Sequence, residues 1–365
     1  MIWRRLSVFL ALCGLTVAFG YAATHQHVRM SSYVTPSSVK GEWTAQQDAY
    51  WRGRISAVGG TEAYRTFAES TAREPLDWQH PQAHAFGKLL YEEEGLEGSL
   101  VCDMQFSMGC LHEFFAQAIA TEGIEVLPQL GAFCDTLPDL VNPANCRHGI
   151  GHGIQAWFGY EPKRLLEGLA ACRQLPHTEG DVYGGCVSGL YMEYNLRVMA
   201  ETDAPRQVVD GNYFSPCDTV SQGDLGACVF WLPQWWTYLF NDHISSQSNF
   251  SSNYVTMGMR CRGFGLAEDV EDDCFRGVAN IVASAADSLG SVQAPLIACD
   301  AAASNVREKM ICRSYLAATY YGERKTYAGD VCDGLDPTSN AYCMAFATGK
   351  ADYIRMVPLT QQHEI

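Results

Sequence analysis

Apolar residues recur along this chain in short helical stripes, each bounded by a cysteine. Within Pro162–Cys172, Leu165, Leu166 and Leu169 form one stripe, and Pro162 suits the first helical position. Leu127, Leu130 and Phe133 repeat the stripe before Cys134, again beside a proline. A second kind of stretch opens at a cysteine: Cys110–Ala120, Cys274–Ala283 and Cys312–Tyr321 are apolar and helical in pattern. Together they predict a unit of helix A, turn, helix B and loop. No run of alternating residues is bounded by hairpin turns, so strands are not expected. Upstream, Trp43, Tyr50, Trp51, Ile55, Val58, Tyr64 and Phe67 recur at mostly helical spacings around Gly59 and Gly60. That predicts two short helices, ended by Pro75.

The cysteines set the period. Fourteen of the 15 fall into seven pairs: Cys102/Cys110, Cys134/Cys146, Cys172/Cys186, Cys217/Cys228, Cys261/Cys274, Cys299/Cys312 and Cys332/Cys343. After the first pair, partners stand 11 to 14 positions apart, and the pairs repeat every 31 to 46 residues. A fixed period of that length is the mark of a repeat array. An even cysteine count beyond an export signal reads as a disulfide framework, with local pairing the simplest connectivity. Each bridge is expected to tie the end of one helix B to the start of the next helix A, where the second cysteine opens the apolar stretch. The fold expectation is therefore all-α: a solenoid-like array of αα-hairpins stapled by about seven local disulfides. In architecture alone this resembles the cysteine-rich Sel1-like repeat proteins, which also staple αα-hairpins at regular intervals. Those have a shorter spacing within the pair and a different Gly/Tyr/Ala signature, so no function follows from the likeness.

The N-terminus changes the expected compartment. Arg4 and Arg5 precede an apolar stretch from Leu6 to Ala23 that also holds Cys13. Residues 1–23 read as a signal peptide or an uncleaved membrane anchor, with everything after it outside the cytoplasm. A polar linker at 24–41, the short helices at 42–75, the repeat domain at 76–356 and a tail at 357–365 complete the organisation. Residues 203–217, with Pro205, Gly211 and Pro216, make a poor helix B, and 241–253 form a polar insertion. The expected setting is periplasmic, cell-surface or secreted. With 41 acidic against 25 basic residues, nucleic acid is a poor partner.

Chemistry concentrates in the histidines. His80, His84, His112, His148, His152 and His177 fall within about 100 residues, whereas His25, His27, His243 and His363 are scattered. His80/His84 and His148/His152 are each spaced i, i+4, so each pair shares a helix face and can bind one metal. His112 and His148 both stand two residues after their cysteine, so the repeat register puts them on neighbouring helices at one level. His84, His112, His148 and His152 are the candidate ligands, beside the plainer reading in which His80 and His84 cap a helix and face solvent. Glu113 and Glu193 are candidate ligands or general bases. Asn195 falls on the same helical face as those histidine positions. The cofactor expected is a divalent transition metal: Zn, Fe, Cu or Mn.

Other features carry structural readings beside functional ones. The glycines of Arg147–Gly153 serve either close helix packing or close approach to a ligand. The aromatics Phe230, Trp231, Trp235, Trp236, Tyr238 and Phe240 read mainly as core. The acidic run Glu268–Asp273 suits a helix N-terminus better than a calcium loop. Two functions follow. One is a metal-dependent hydrolase or oxidoreductase; the alternative is a non-catalytic binding or scaffold module for a peptide, glycan or protein partner. A membrane partner enters only through an uncleaved N-terminal segment.

Overall fold

The computed structural model describes residues 42–137, 141–175, 184–197, 199, 206–240, 250–289, 293–324 and 328–348. The expected leader, linker and C-terminal tail, most of the polar insertion, and His25, His27, His177, His243 and His363 lie outside the described residues. Among the described residues there are fifteen α-helices and no strand. In chain order they are α1 (Ala45–Val58), α2 (Gly60–Thr71), α3 (Leu76–Glu94), α4 (Gly109–Glu122), α5 (Leu127–Asp135), α6 (Val141–Phe158), α7 (Pro162–Cys172) and α8 (Cys186–Leu196). They continue as α9 (Gln222–Leu239), α10 (Phe250–Gly263), α11 (Glu268–Leu289), α12 (Gln293–Ala302), α13 (Val306–Arg324), α14 (Ala328–Cys332) and α15 (Pro337–Ala347).

Local chemistry explains the boundaries. Thr44 and Gln47 form a reciprocal cap that opens α1. Gly59 ends it at φ +80°, a left-handed value glycine adopts without a Cβ penalty. The Asp336 carboxylate accepts from the Thr338 and Ser339 backbone at the start of α15. Prolines at the first turns of α5, α7 and α15 use positions whose N–H would be unpaired anyway.

Helices α3, α4, α6, α8, α9, α11, α13 and α15 pack side by side in chain order. Between them, α7, α12 and α14 each contact the members before and after, and α5 packs on α6. All seven expected bridges form. They are Cys102–Cys110, Cys134–Cys146, Cys172–Cys186, Cys217–Cys228, Cys261–Cys274, Cys299–Cys312 and Cys332–Cys343, with Cα–Cα distances between 5.6 and 5.8 Å. Cys134, Cys172, Cys261, Cys299 and Cys332 lie in the last turn of a connecting helix, as expected of a helix B. Cys102 and Cys217 start from non-helical segments instead. Residues 206–221 contain no helix, as the prolines and Gly211 imply.

The expected place of the second cysteine needs correcting. It stands at the helix start only at Cys110, the second residue of α4, and at Cys186, the first residue of α8. Cys146 lies five residues into α6, and Cys228 lies six residues into α9. Cys274, Cys312 and Cys343 likewise lie six residues into α11, α13 and α15. The physical reason is that a polar first turn extends each helix outward, ahead of the apolar stripe. Gln222 in α9 and Glu268 and Asp269 in α11, all exposed, supply such turns. The staple at Cys146 or Cys228 therefore marks entry into the core rather than the helix start.

The core runs continuously through the row, from Trp51, Phe67 and Phe86 to Trp235, Trp236 and Phe275, all sealed from solvent. Glycine sets the closest spacing. A Cβ at Gly151 of α6 would lie 2.1 Å from the Cys186 carbonyl, and one at Gly189 of α8 would lie 1.9 Å from the His148 carbonyl. The two helices therefore approach at each other's glycines.

Candidate metal centre

Four successive members of the packed row supply one side-chain cluster. Helix α3 contributes His80 and His84, α4 contributes His112 and Glu113, α6 contributes His148 and His152, and α8 contributes Glu193. The i, i+4 spacing stacks the rings one turn apart: centroids are 4.5 Å apart for His80–His84 and 4.9 Å for His148–His152. His112 stands between the pairs, 5.7 Å from both His80 and His84, 5.8 Å from His148 and 5.1 Å from His152. Gly149 keeps that spacing, since a Cβ there would press to 2.9 Å on the His112 ring.

Three of the four outer rings have an acceptor at Nδ1, His148 being the exception. The Phe106 carbonyl lies 2.7 Å from Nδ1 of His80. The Glu113 carboxylate faces Nδ1 of His84 at 3.4 Å. Glu193 Oε2 lies 3.0 Å from Nδ1 of His152. An acceptor at Nδ1 calls for the proton there and leaves Nε2 as a lone pair. This is the arrangement by which metal-binding histidines are oriented in proteins. Glu113 also accepts from Gln117, and Glu193 also accepts from the Tyr160 hydroxyl and, at 2.9 Å, from the Met199 amide.

The Nε2 atoms then meet one another. His80 and His84 bring theirs to 2.9 Å, and His148 and His152 bring theirs to 3.2 Å. In the second pair the contact can be a hydrogen bond, because nothing holds a proton on His148 Nδ1, which is buried without a partner. In the first pair the Phe106 carbonyl holds the His80 proton on Nδ1, and the Glu113 carboxylate faces Nδ1 of His84; with the His84 proton drawn to that side, the two Nε2 lone pairs would face each other and suit a shared cation. His112 Nε2 is likewise buried without a partner. Ligand atoms of His80, His84 and His112 all lie within 4.8 Å of one another, a grouping able to hold a metal ion. Two nitrogens each about 2.0–2.1 Å from one ion stand about 2.9 Å apart at a right angle, which is the His80–His84 spacing.

Electrostatics favour neutral rings. Burial pushes His80 down to about 4, with the charge of His84 adding to the effect, and pushes His152 down to about 3. His112 and His148 are driven well below the usual imidazole range by the same loss of water. Burial raises the Glu193 carboxyl to about 7, opposed by its Tyr160 and Met199 donors. At Glu113 burial pushes upward, but hydrogen bonds from His84 and Gln117 hold the carboxyl below its ordinary value.

Among the candidate ligands, His84 and His112 belong to the group able to hold an ion, His148 and His152 lie beside it, and the third member of the group is His80. The signal was its i, i+4 spacing to His84, identical to that of His148 and His152. Asn195 does not join the cluster through its oxygen, which accepts from Arg206 Nε at 3.2 Å. Ser188, two residues after its cysteine like His112 and His148, accepts from the Trp231 indole at 2.9 Å and closes that register. Trp235 and Trp236 are core. In the acidic run Glu268, Asp272 and Asp273 pair with Arg276 and Arg307, which leaves ion pairs rather than a calcium loop. No helix among the described residues is long and apolar enough to cross a membrane. No protein-family model matches this chain, nor does any curated protein or solved structure.

Proposed function

We propose that the protein is an exported, disulfide-stapled metalloprotein that binds a transition metal through Nε2 of His80, His84 and His112 and acts there as an oxidoreductase. The observation that carries this reading is the approach of His80 Nε2 and His84 Nε2 to 2.9 Å beside the unpartnered Nε2 of His112, in a group able to hold a metal ion. His148 and His152 lie beside His112, with ring centroids 5.8 and 5.1 Å from it, and outside the three-histidine group. Seven disulfides are consistent with an oxidising, extracytoplasmic setting.

An all-imidazole group suits Zn, Cu and Fe better than Mn, which prefers oxygen ligands. Bound copper or iron would supply electron-transfer chemistry. The hydrolase alternative needs a carboxylate free to activate water, and both candidates are occupied. Glu193 is sealed and holds three donors, so its role is to orient His152. Glu113 is bound to Gln117 and faces His84, so it orients that ring. The His84 and Glu113 side chains retain 14% and 16% exposure, against 1% for His152, so a small substrate reaches the cluster from that edge.

Metal analysis of protein purified without a histidine tag from an oxidising compartment tests the reading. Retention of a redox-active ion at one per chain or more, lost in His84→Ala, supports it. A metal-free protein that takes up no Zn, Cu or Fe overturns it and leaves a proton shared between His80 and His84 as the explanation of their contact.

A further inference from the structure

The segment between Cys102 and Cys110 differs from the other stapled connections. Its partners are 8 residues apart, against 11 to 14 elsewhere. It also holds three consecutive non-glycine residues in left-handed conformation: Phe106 (φ 54°), Ser107 (φ 51°) and Met108 (φ 61°). Side chains disfavour that region, so a run of three persists only where its surroundings fix it.

The run has a specific product. It turns the Phe106 carbonyl onto Nδ1 of His80 at 2.7 Å and then delivers Gly109, the first residue of α4. Gly109 lies so close to α3 that a Cβ there would be 2.7 Å from the His80 carbonyl and 3.0 Å from the His84 ring. His112 follows three residues later. The turn therefore fixes both the tautomer of His80 and the position of His112 relative to it. Its ends are anchored by the disulfide, by the Tyr64 hydroxyl donating to Asp103 at 2.6 Å, and by the Gln105 amide donating to the same carboxylate at 2.9 Å.

We infer that the Cys102–Cys110 disulfide is a positioning element of the metal centre, which holds the left-handed turn so that the Phe106 carbonyl keeps the His80 proton on Nδ1. The inference rests on the proposed metal reading. Among the seven bridges this one acts on ligand geometry, whereas a distant bridge such as Cys332–Cys343 stabilises the fold alone. Removing an acceptor from the Nδ1 of a metal-binding histidine typically weakens metal binding 10- to 100-fold.

The test compares the double variants C102S/C110S and C332S/C343S with wild-type protein, measuring zinc affinity by chelator competition and the visible spectrum of the cobalt form. The expected result is a loss of about 10- to 100-fold in affinity and a changed cobalt spectrum for C102S/C110S only. Tyr64→Phe, which loosens the same turn and keeps every disulfide, should lose affinity in the same direction and serves if C102S/C110S does not fold. Equal losses in both double variants, or unchanged affinity in both C102S/C110S and Tyr64→Phe, overturn the positioning role while leaving the metal site standing. Failure of wild-type protein to bind either ion overturns the metal reading and this inference together.

Discussion

Glu193 Oε2 lies 3.0 Å from Nδ1 of His152, and the two side chains retain 0% and 1% exposure. A carboxylate so deep in a helical row is costly unless its lone pairs are filled, and Tyr160 and the Met199 amide fill the remainder. The arrangement orients His152 from behind. Glu193→Gln keeps the shape but can present a donor to the same nitrogen, and it should weaken metal retention about 10-fold or more. Chelator competition reads this directly. Unchanged affinity would mean that His152 takes no part in the centre.

Metal-free protein should lose stability on acidification. In the unfolded chain these histidines take up protons near pH 6.5. In the folded chain His80 and His152 resist protonation down to about 4 and about 3, and His112 and His148 shift the same way. Unfolded protein then binds more protons below about 6.5, so the stability present above that pH falls as pH drops toward about 4. Glu193 works in the opposite sense, because its raised value makes folded protein the better proton binder between about 4.5 and about 7. Asp272, raised to about 7 by burial, works in the same sense as Glu193, and four imidazoles outweigh these two carboxyls. Thermal melting of stripped protein from about pH 8 to about pH 4 checks the slope, and a flat profile would contradict buried neutral histidines.

Helix spacing around the centre depends on glycine. Gly151→Ala and Gly189→Ala place a Cβ 2.1 and 1.9 Å from the Cys186 and His148 carbonyls, and each should cost about 1–3 kcal/mol. Gly53→Ala in α1 meets nothing within 4 Å and should be neutral or stabilise by up to about 1 kcal/mol. Denaturant melts of the three variants separate the two cases. Equal effects would mean that α6 and α8 do not touch at these residues.

Much of this architecture is written in residue spacing. Leu165 and Leu169, both buried, identify a helix because their spacing fits one helical face, whereas Leu166 of the expected stripe is half-exposed; the local cysteine pairs fix where one unit meets the next. Position two after the cysteine brings His112 and His148 level because the packed helices share a register. The remainder depends on contacts that spacing does not encode. Cys146 and Cys228 mark where α6 and α9 enter the core, but the polar turns ahead of them carry no apolar stripe to reveal that they are helical. Helix α11 starts at Glu268 for a related reason, since acidic residues suit a helix N-terminus. Phe106, Ser107 and Met108 carry no glycine to announce a left-handed turn. The carboxylate of Glu193 could be placed near the histidine face, but its choice of Nδ1 over the metal side follows from Tyr160 and Met199, distant in the chain or off the helix.

The central claim is that an ion, rather than a shared proton, joins the imidazole nitrogens of this cluster. Anomalous diffraction at the absorption edge of the ion retained by tag-free protein tests it most directly. The predicted result is a peak about 2.0–2.1 Å from Nε2 of His80, His84 and His112. A protein crystallised with metal present that shows no peak among these rings, with His80 and His84 still in contact, would contradict it.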